Sequence, residues 1–447
     1  MEERLGWGMN LVLASCCFAM RSTDDELEAV LRGPDGAARP ADEALQLLHT
    51  HVPRARVARA YVREVARLCD VLSVRPVCAA AALLANEEDG VPAAAASSQR
   101  TRAYVAATNH RICQCAKLCQ AIAKTCLRGP DGFNISALLL LRDTPDDSEE
   151  DDNDDEDQDE EEQRHRAVPS RVLTYLLVEV LNSPCRELRA EVARILYIVA
   201  TRASAACQAV VAAELQNILI AVAWEQQWHR GVREVVVAMQ QLLFPASASV
   251  SASASAPVIA APRTAAWVLA ACVLPLHHSR DAYRLCADPL TDIVVAACER
   301  GLLTPAQLAE TLCRRRCFLT APNESQVHML AELQLVLETT ADRDESDGES
   351  NGDGEKAMVV FAPALAAAVQ SNSIFVCDRA LAFVRAPVVL RCLVGAGVLS
   401  AVLPGIVRTS ETHWDVRVRS LALVTIQHLR RTNNAKVNEL LVANGSA

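Results

Sequence analysis

Aromatic residues are scarce in this chain, 4% of 447, and glycine and proline are few, 16 and 19. That excludes a collagen-like chain, and 51% apolar residues, mostly alanine, leucine and valine, exclude a wholly disordered one. Strand signals are nearly absent: apolar runs such as Val235–Val237 sit inside longer 3.6-residue patterns, which favours helix over sheet. No run of 18 uncharged apolar residues occurs, so no transmembrane helix and no membrane partner are expected. The apolar stretch Leu11–Met20 is short for a span and follows Glu2 and Glu3 beside Arg4, a poor start for a signal peptide. Lysine occurs four times against forty arginines, which with the alanine excess reads as GC-rich coding bias rather than selection for guanidinium chemistry.

What is abundant is acid in blocks. The formal charge is −11, yet 14 of the 17 residues from Asp146 to Glu162 are acidic, and Asp342–Lys356 carries a net −5. Without these two stretches the remainder is mildly basic, +8, so direct nucleic-acid binding by the whole chain is disfavoured, while an arginine-rich face remains for local contacts. The acidic run has three readings: a solvated spacer, a docking segment for basic partners, or a tethered competitor for the chain's own basic groove. Seventeen cysteines are scattered along a chain long enough to bury its own core, so they read as free thiols in a reducing compartment, cytoplasmic or nuclear. The sequons at Asn134, Asn323 and Asn444 are then incidental.

Composition divides the chain as follows: a helical block at 1–141, an acidic linker at 142–166, helical repeats at 167–244, an Ala/Ser-rich linker at 245–261, repeats at 262–340, an acidic linker at 341–357 and repeats at 358–447. Each linker lacks the apolar content to offset ordering entropy and is expected to be a flexible loop. The first block is helical and holds a duplicated LRGPDG at 31–36 and 127–132, a weak sign of divergent HEAT-like pairs.

The last block is the most legible. Pro387 opens a short helix ending at Gly397, a second helix runs from Val398 to about Val407, and a third from Glu411 to Arg431. In the third, Val418, Ala422, Ile426 and Leu429 recur as one buried face. LVGAG at 393–397 and LVANG at 441–445 lie 48 residues apart, as a repeated three-helix unit requires. Third-helix stripes are also read at Leu188, Val192, Leu196 and Val199; at Val232, Val236, Met239 and Leu243; at Val327, Ala331 and Leu335; and at Val376, Ala380 and Val384.

This pattern of short helix, glycine, second helix and long third helix resembles the armadillo repeat, related to the HEAT repeats. The match is best over Pro387–Gly445 and weaker over 170–386. The resemblance implies an all-α, right-handed α-solenoid of stacked armadillo/HEAT-like repeats in a eukaryotic protein. It implies a non-enzymatic scaffold or adaptor that binds a protein partner, such as a basic or extended peptide, along a concave groove of third helices. The alternative is a chaperone cofactor or nucleotide-exchange-type regulator; an enzyme or a nuclear-import adaptor ranks lower. Import adaptors of the importin-α kind carry W-x3-N on third helices, and none of the five tryptophans here has asparagine four residues later. The candidate groove residues are Arg194, Arg417, Val424 and His428. The pattern would continue beyond Ala447, so Leu440, Leu441 and Val442 are expected to be partly exposed, with this edge covered by further chain, a partner or a second copy.

No catalytic, cofactor or metal residues are assigned. There is no phosphate-binding loop, G-x-S-x-G or H-E-x-x-H, and Asp342–Glu355 fits no calcium-loop register. His110, Cys113, Cys115, Cys119 and Cys126 could suggest zinc or redox chemistry, but Cys115, Cys119, Ile122 and Cys126 form one helix stripe with Leu118, and a buried stripe is the favoured reading. Cys313 and Cys317 flank Arg314–Arg316, whose charge could activate a thiol; two core cysteines beside an exposed basic face is the simpler reading. His277 and His278 read as a helix end.

Overall fold

The computed structural model describes residues 39–50, 59–72, 95–127, 138–141, 168–244, 262–347, 352–432 and 437–439. The run Asp146–Glu162, residues 245–261, the first LRGPDG copy, the second copy after Leu127, Leu440–Val442 and the side chain of Cys126 lie outside them. The fold is an all-α solenoid, as expected, apart from one two-residue ladder among the described residues. The chain forms two compact units, Met1–Leu215 with Gln241–Ile259, and Gln216–Gln240 with Ala260–Ala447.

In unit one, α1 (Ala41–Thr50) and α2 (Arg59–Val71) precede the long α3 (Ala95–Leu127). The ladder pairs β1 (Leu140–Leu141) with β2 (Val168–Pro169), antiparallel, Leu140 opposite Pro169 and Leu141 opposite Val168. No strand was expected. Its two rungs join the chain on either side of the acidic segment. Ser170 follows: its Oγ donates to the Leu138 carbonyl (2.8 Å) and accepts from Leu173 N, capping α4 (Arg171–Thr174). A π-type turn, Tyr175–Val180, leads on to α5 (Arg186–Arg202). There Leu188, Val192, Leu196 and Val199 are buried as read from their spacing. Helix α5 packs on α3.

The boundary between the units falls within α6 (Ala205–Trp224), so the repeat block read as 167–244 is divided there. Among the described helices α6 is long and apolar enough to cross a membrane, with a mean hydropathy of 1.6. It contains Glu214, and Val211, Ala212, Leu215 and Leu219 are buried. Helix α7 (Val232–Leu243) follows, with its expected stripe Val232, Val236, Met239 and Leu243 buried.

Unit two continues with α8 (Pro262–Val268), extended by a wide turn to Val273 and a tight turn, Leu274–His278. Then come α9 (Arg280–Glu299), α10 (Pro305–Cys313), α11 (Cys317–Thr320), α12 (Asn323–Asp347), α13 (Asp353–Ala368), α14 (Ile374–Arg385), α15 (Pro387–Gly395), α16 (Leu399–Thr412) and α17 (Val416–Thr432). They stack in two layers: α10, α13 and α16 form one, and α9, α12, α14 and α17 the other. Each helix touches its neighbours in sequence of repeats, which is how units that cannot bury an apolar face alone become stable together.

Local chemistry sets the boundaries. Gly301 and Gly397 take φ +67° and +70° at the turns where their glycines were read. Thr304 and Gln307 form a reciprocal capping box, with Pro305 at the first helical position of α10. Gly405 lets α16 approach α13: a Cβ there would lie 3.0 Å from Val369 Cγ2. The acidic stretch 341–357 is partly helical rather than a loop. Asp353 and Glu355 occupy the first turn of α13, where the helix dipole favours carboxylates, and Lys356 Nζ meets Asp353 at 2.8 Å. The third helix expected from Glu411 begins instead at Val416. Asp415 Oδ1 accepts from Arg417 N (2.8 Å) and Val418 N (3.1 Å), so residues up to Thr412 belong to α16.

An aromatic spine joins three helices: Phe318 of α11, Phe361 of α13 and Phe383 of α14, all buried, with ring centroids 5.2 and 6.2 Å apart in edge-to-face contact.

A polar face and a strained basic turn

Helices α12, α14 and α17 each bury one stripe and present the opposite one. On α17, Val418, Ala422, Ile426 and Leu429 are buried, while Arg417, Ser420, Val424 and Gln427 are exposed. On α14, Val376, Ala380 and Val384 face inward and Phe375 and Asp378 outward. On α12 the expected stripe is corrected: Leu335 is 43% exposed, and Met329, Leu330, Leu333, Val336 and Leu337 form the core side.

The reason is Glu332. It is fully buried, and its carboxylate lies 3.1 and 3.2 Å from His277 Nε2 and accepts from the Tyr283 hydroxyl at 3.3 Å. His277 Nδ1 lies 2.8 Å from the Leu274 carbonyl, and Cys317 Sγ donates to the His277 carbonyl at 2.9 Å. Burial alone would push the His277 pKa down; the Glu332 charge and hydrogen bond, with the Leu274 carbonyl, outweigh it and hold the pKa above its ordinary value. The helix-end reading of His277 was right about position and missed this network. No sequence signal marks it, since a glutamate is expected on a solvent face.

The outward faces of α12 and α14 are bridged. Arg379 Nη2 donates to Gln334 Oε1 at 2.9 Å, and Gln334 Nε2 donates to Glu338 Oε1 at 2.7 Å. Arg379 Nε is screened from solvent and has no hydrogen-bond partner. Burial pushes this guanidinium down, with Glu338 acting in the opposite direction. Of the candidate residues, Arg417, Val424 (48% exposed) and His428 share one side of α17, at intervals of seven and four residues. Arg194 is exposed on α5 in the other unit.

At the edge where α13 turns into α14 and α16 into α17, each loop holds the next. Thr409 Oγ1 donates to the Val369 carbonyl (2.7 Å), His413 Nε2 lies 3.2 Å from the Ser371 carbonyl, and Trp414 Nε1 donates to the Asn372 carbonyl (3.1 Å). Trp414 stacks on His413 and remains 63% exposed, and Phe375 at the start of α14 is 75% exposed.

Between α10 and α11 lie Arg314, Arg315 and Arg316, all exposed. Arg315 and Arg316 adopt φ +52° and +57°, left-handed conformations that cost a residue with a Cβ about 1–3 kcal/mol each. The arginines do not activate the flanking cysteines: burial raises the thiol of Cys313, and burial with Cys313 nearby pushes Cys317 up to about 11. In unit one, Cys115, Leu118, Cys119 and Ile122 form the buried stripe that was favoured, with the thiols of Cys115 and Cys119 raised by burial; Cys113 and His110 are exposed.

A two-layered helical repeat with broad exposed faces is the build of a protein that binds other proteins. The comparison with protein families makes this specific. The model described as "Protein phosphatase 2A regulatory B subunit (B56 family)" matches residues 171–445, more than half of the chain. The chain belongs to the B56 family, whose helical repeats are of the armadillo/HEAT-like kind read from the sequence. No curated protein matches the chain.

Proposed function

We propose that this chain is a non-enzymatic regulatory subunit of a protein phosphatase 2A-type enzyme. In this reading it joins a phosphatase core and holds a further protein partner on the outward face of α12, α14 and α17. The observation that carries it is the family match, which begins at Arg171, the first residue of α4, and takes in all the described repeats that follow. The partner-binding face is supported by its make-up: Leu335, Phe375 and Val424 supply exposed apolar anchors, and the exposed Arg417 supplies a donor. Arg194 is a further candidate contact on unit one. A cytoplasmic or nuclear location belongs to the same proposal, supported by the free cysteines.

Val424→Asp adds a charge to the exposed side of α17 without touching the buried stripe. Affinity capture with quantitative mass spectrometry should recover the phosphatase catalytic subunit with this variant as with wild type, while at least one other partner falls tenfold or more. An unchanged partner set with Val424→Asp and with Arg417→Glu would remove this face from the proposal.

A further inference from the structure

We propose that the turn Arg314–Arg316 is a binding site for a phosphorylated segment of a partner protein. Arg314, Arg315 and Arg316 are three successive residues of one turn, and all three are exposed. Among the described residues no carboxylate lies within ion-pair distance of any of them, and no side chain accepts a hydrogen bond from them. An arginine cluster on a protein surface is ordinarily interspersed with acids; this one is left without counter-charge.

The turn is also held in place. Cys317 Sγ donates to the His277 carbonyl at 2.9 Å on one side, and Cys313 Sγ approaches the Val360 carbonyl at 3.5 Å on the other. Between these anchors two successive arginines hold left-handed backbones, although glycine would do so without strain. Strain retained at a fixed, exposed, charged turn points to a role for the side chains. Exposed guanidinium groups donate in planar forks that match phosphate oxygens, and a dianionic phosphate supplies more acceptors and more charge than a single carboxylate. Leu319, exposed one turn further on, offers an apolar contact for residues flanking the phosphate.

A built-in reporter sits beside the turn. His278 is half-buried, with Nε2 3.0 Å from the Thr311 carbonyl. Burial depresses its pKa first, and the charges of His277, Arg314 and Arg315 depress it further. An anion held by the arginines offsets their field, so occupation of the site should raise the His278 pKa.

The source of the phosphate rests on the regulatory-subunit reading, since proteins brought to a phosphatase are phosphorylated. The test uses the full chain and a degenerate peptide pool with one fixed phosphoserine, compared by fluorescence anisotropy with the same pool carrying serine. Wild type should bind the phosphorylated pool at least tenfold more tightly, and the preference should weaken as salt rises. The double variant Arg315→Gly/Arg316→Gly keeps the left-handed backbone, relieves its strain and removes two guanidinium groups. It should melt no lower than wild type and lose the preference. Titration of His278 by NMR should move upward with the phosphorylated pool in wild type only. No discrimination by wild type, or discrimination retained by the double glycine variant, would overturn the proposal. Co-elution with a purified phosphatase 2A core, run in parallel, separates the two ideas. Core binding without phosphopeptide discrimination sinks the site alone, and absence of core binding sinks the regulatory-subunit reading.

Discussion

Replacing Glu332 by leucine is expected to destabilise the transition that carries unit two by about 3–5 kcal/mol, because it leaves the buried His277 and Tyr283 donors without their acceptor. Urea unfolding followed by circular dichroism measures it, and a loss below about 1 kcal/mol would show that the network is relaxed or wetted. The pH dependence separates charge from packing. The fold holds His277 above the ordinary histidine value of about 6.5. Its stabilising contribution is therefore fully present below that pH and fades as pH rises through the folded value. In Glu332→Gln, burial is the dominant influence left, the His277 pKa falls below the unfolded value, and stability should instead be lost on acidification. Wild type and Glu332→Gln should show opposite slopes around neutrality.

Phe361→Ala should cost about 3–5 kcal/mol, since it removes the middle ring of the Phe318–Phe361–Phe383 spine and opens a cavity between α11, α13 and α14. Phe361→Leu, which keeps most of the volume, should cost clearly less. Equal losses for the two would mean that the edge-to-face contacts, rather than the filled space, carry the stability.

These two sites also mark how far the sequence could be read. Where a helix buries only apolar residues, spacing sufficed: the stripes of α5, α7, α14 and α17 were each legible as recurrences of three and four. Helix α12 was misread because Glu332 lies on its buried side, and periodicity counts a glutamate as solvent-facing. The end of α16 was misread because the helical pattern runs through His413–Asp415 without interruption. What breaks it is the Asp415 carboxylate capping α17, a competition between two good hydrogen-bonding schemes. The strain at Arg315 and Arg316 was invisible because neither is glycine or asparagine, the residues that advertise a left-handed turn. The two-rung ladder at Leu140–Leu141 and Val168–Pro169 is too short to leave a period-two signature. For the candidate face, Arg417, Val424 and His428 were read from third-helix slots of a repeat pattern. Phe375 and Trp414 were missed, since their exposure depends on how neighbouring repeats stack, and Arg379 was missed because its partner Gln334 lies on another helix.

The central claim, a regulatory subunit without catalysis of its own, is tested most directly by mixing the purified full-length chain with a reconstituted phosphatase 2A catalytic–scaffold core. Analytical size exclusion and light scattering read the product. The account predicts one stoichiometric complex of all three chains, with the phosphatase activity supplied by the core. Separate elution of this chain from the core at micromolar concentrations would contradict it.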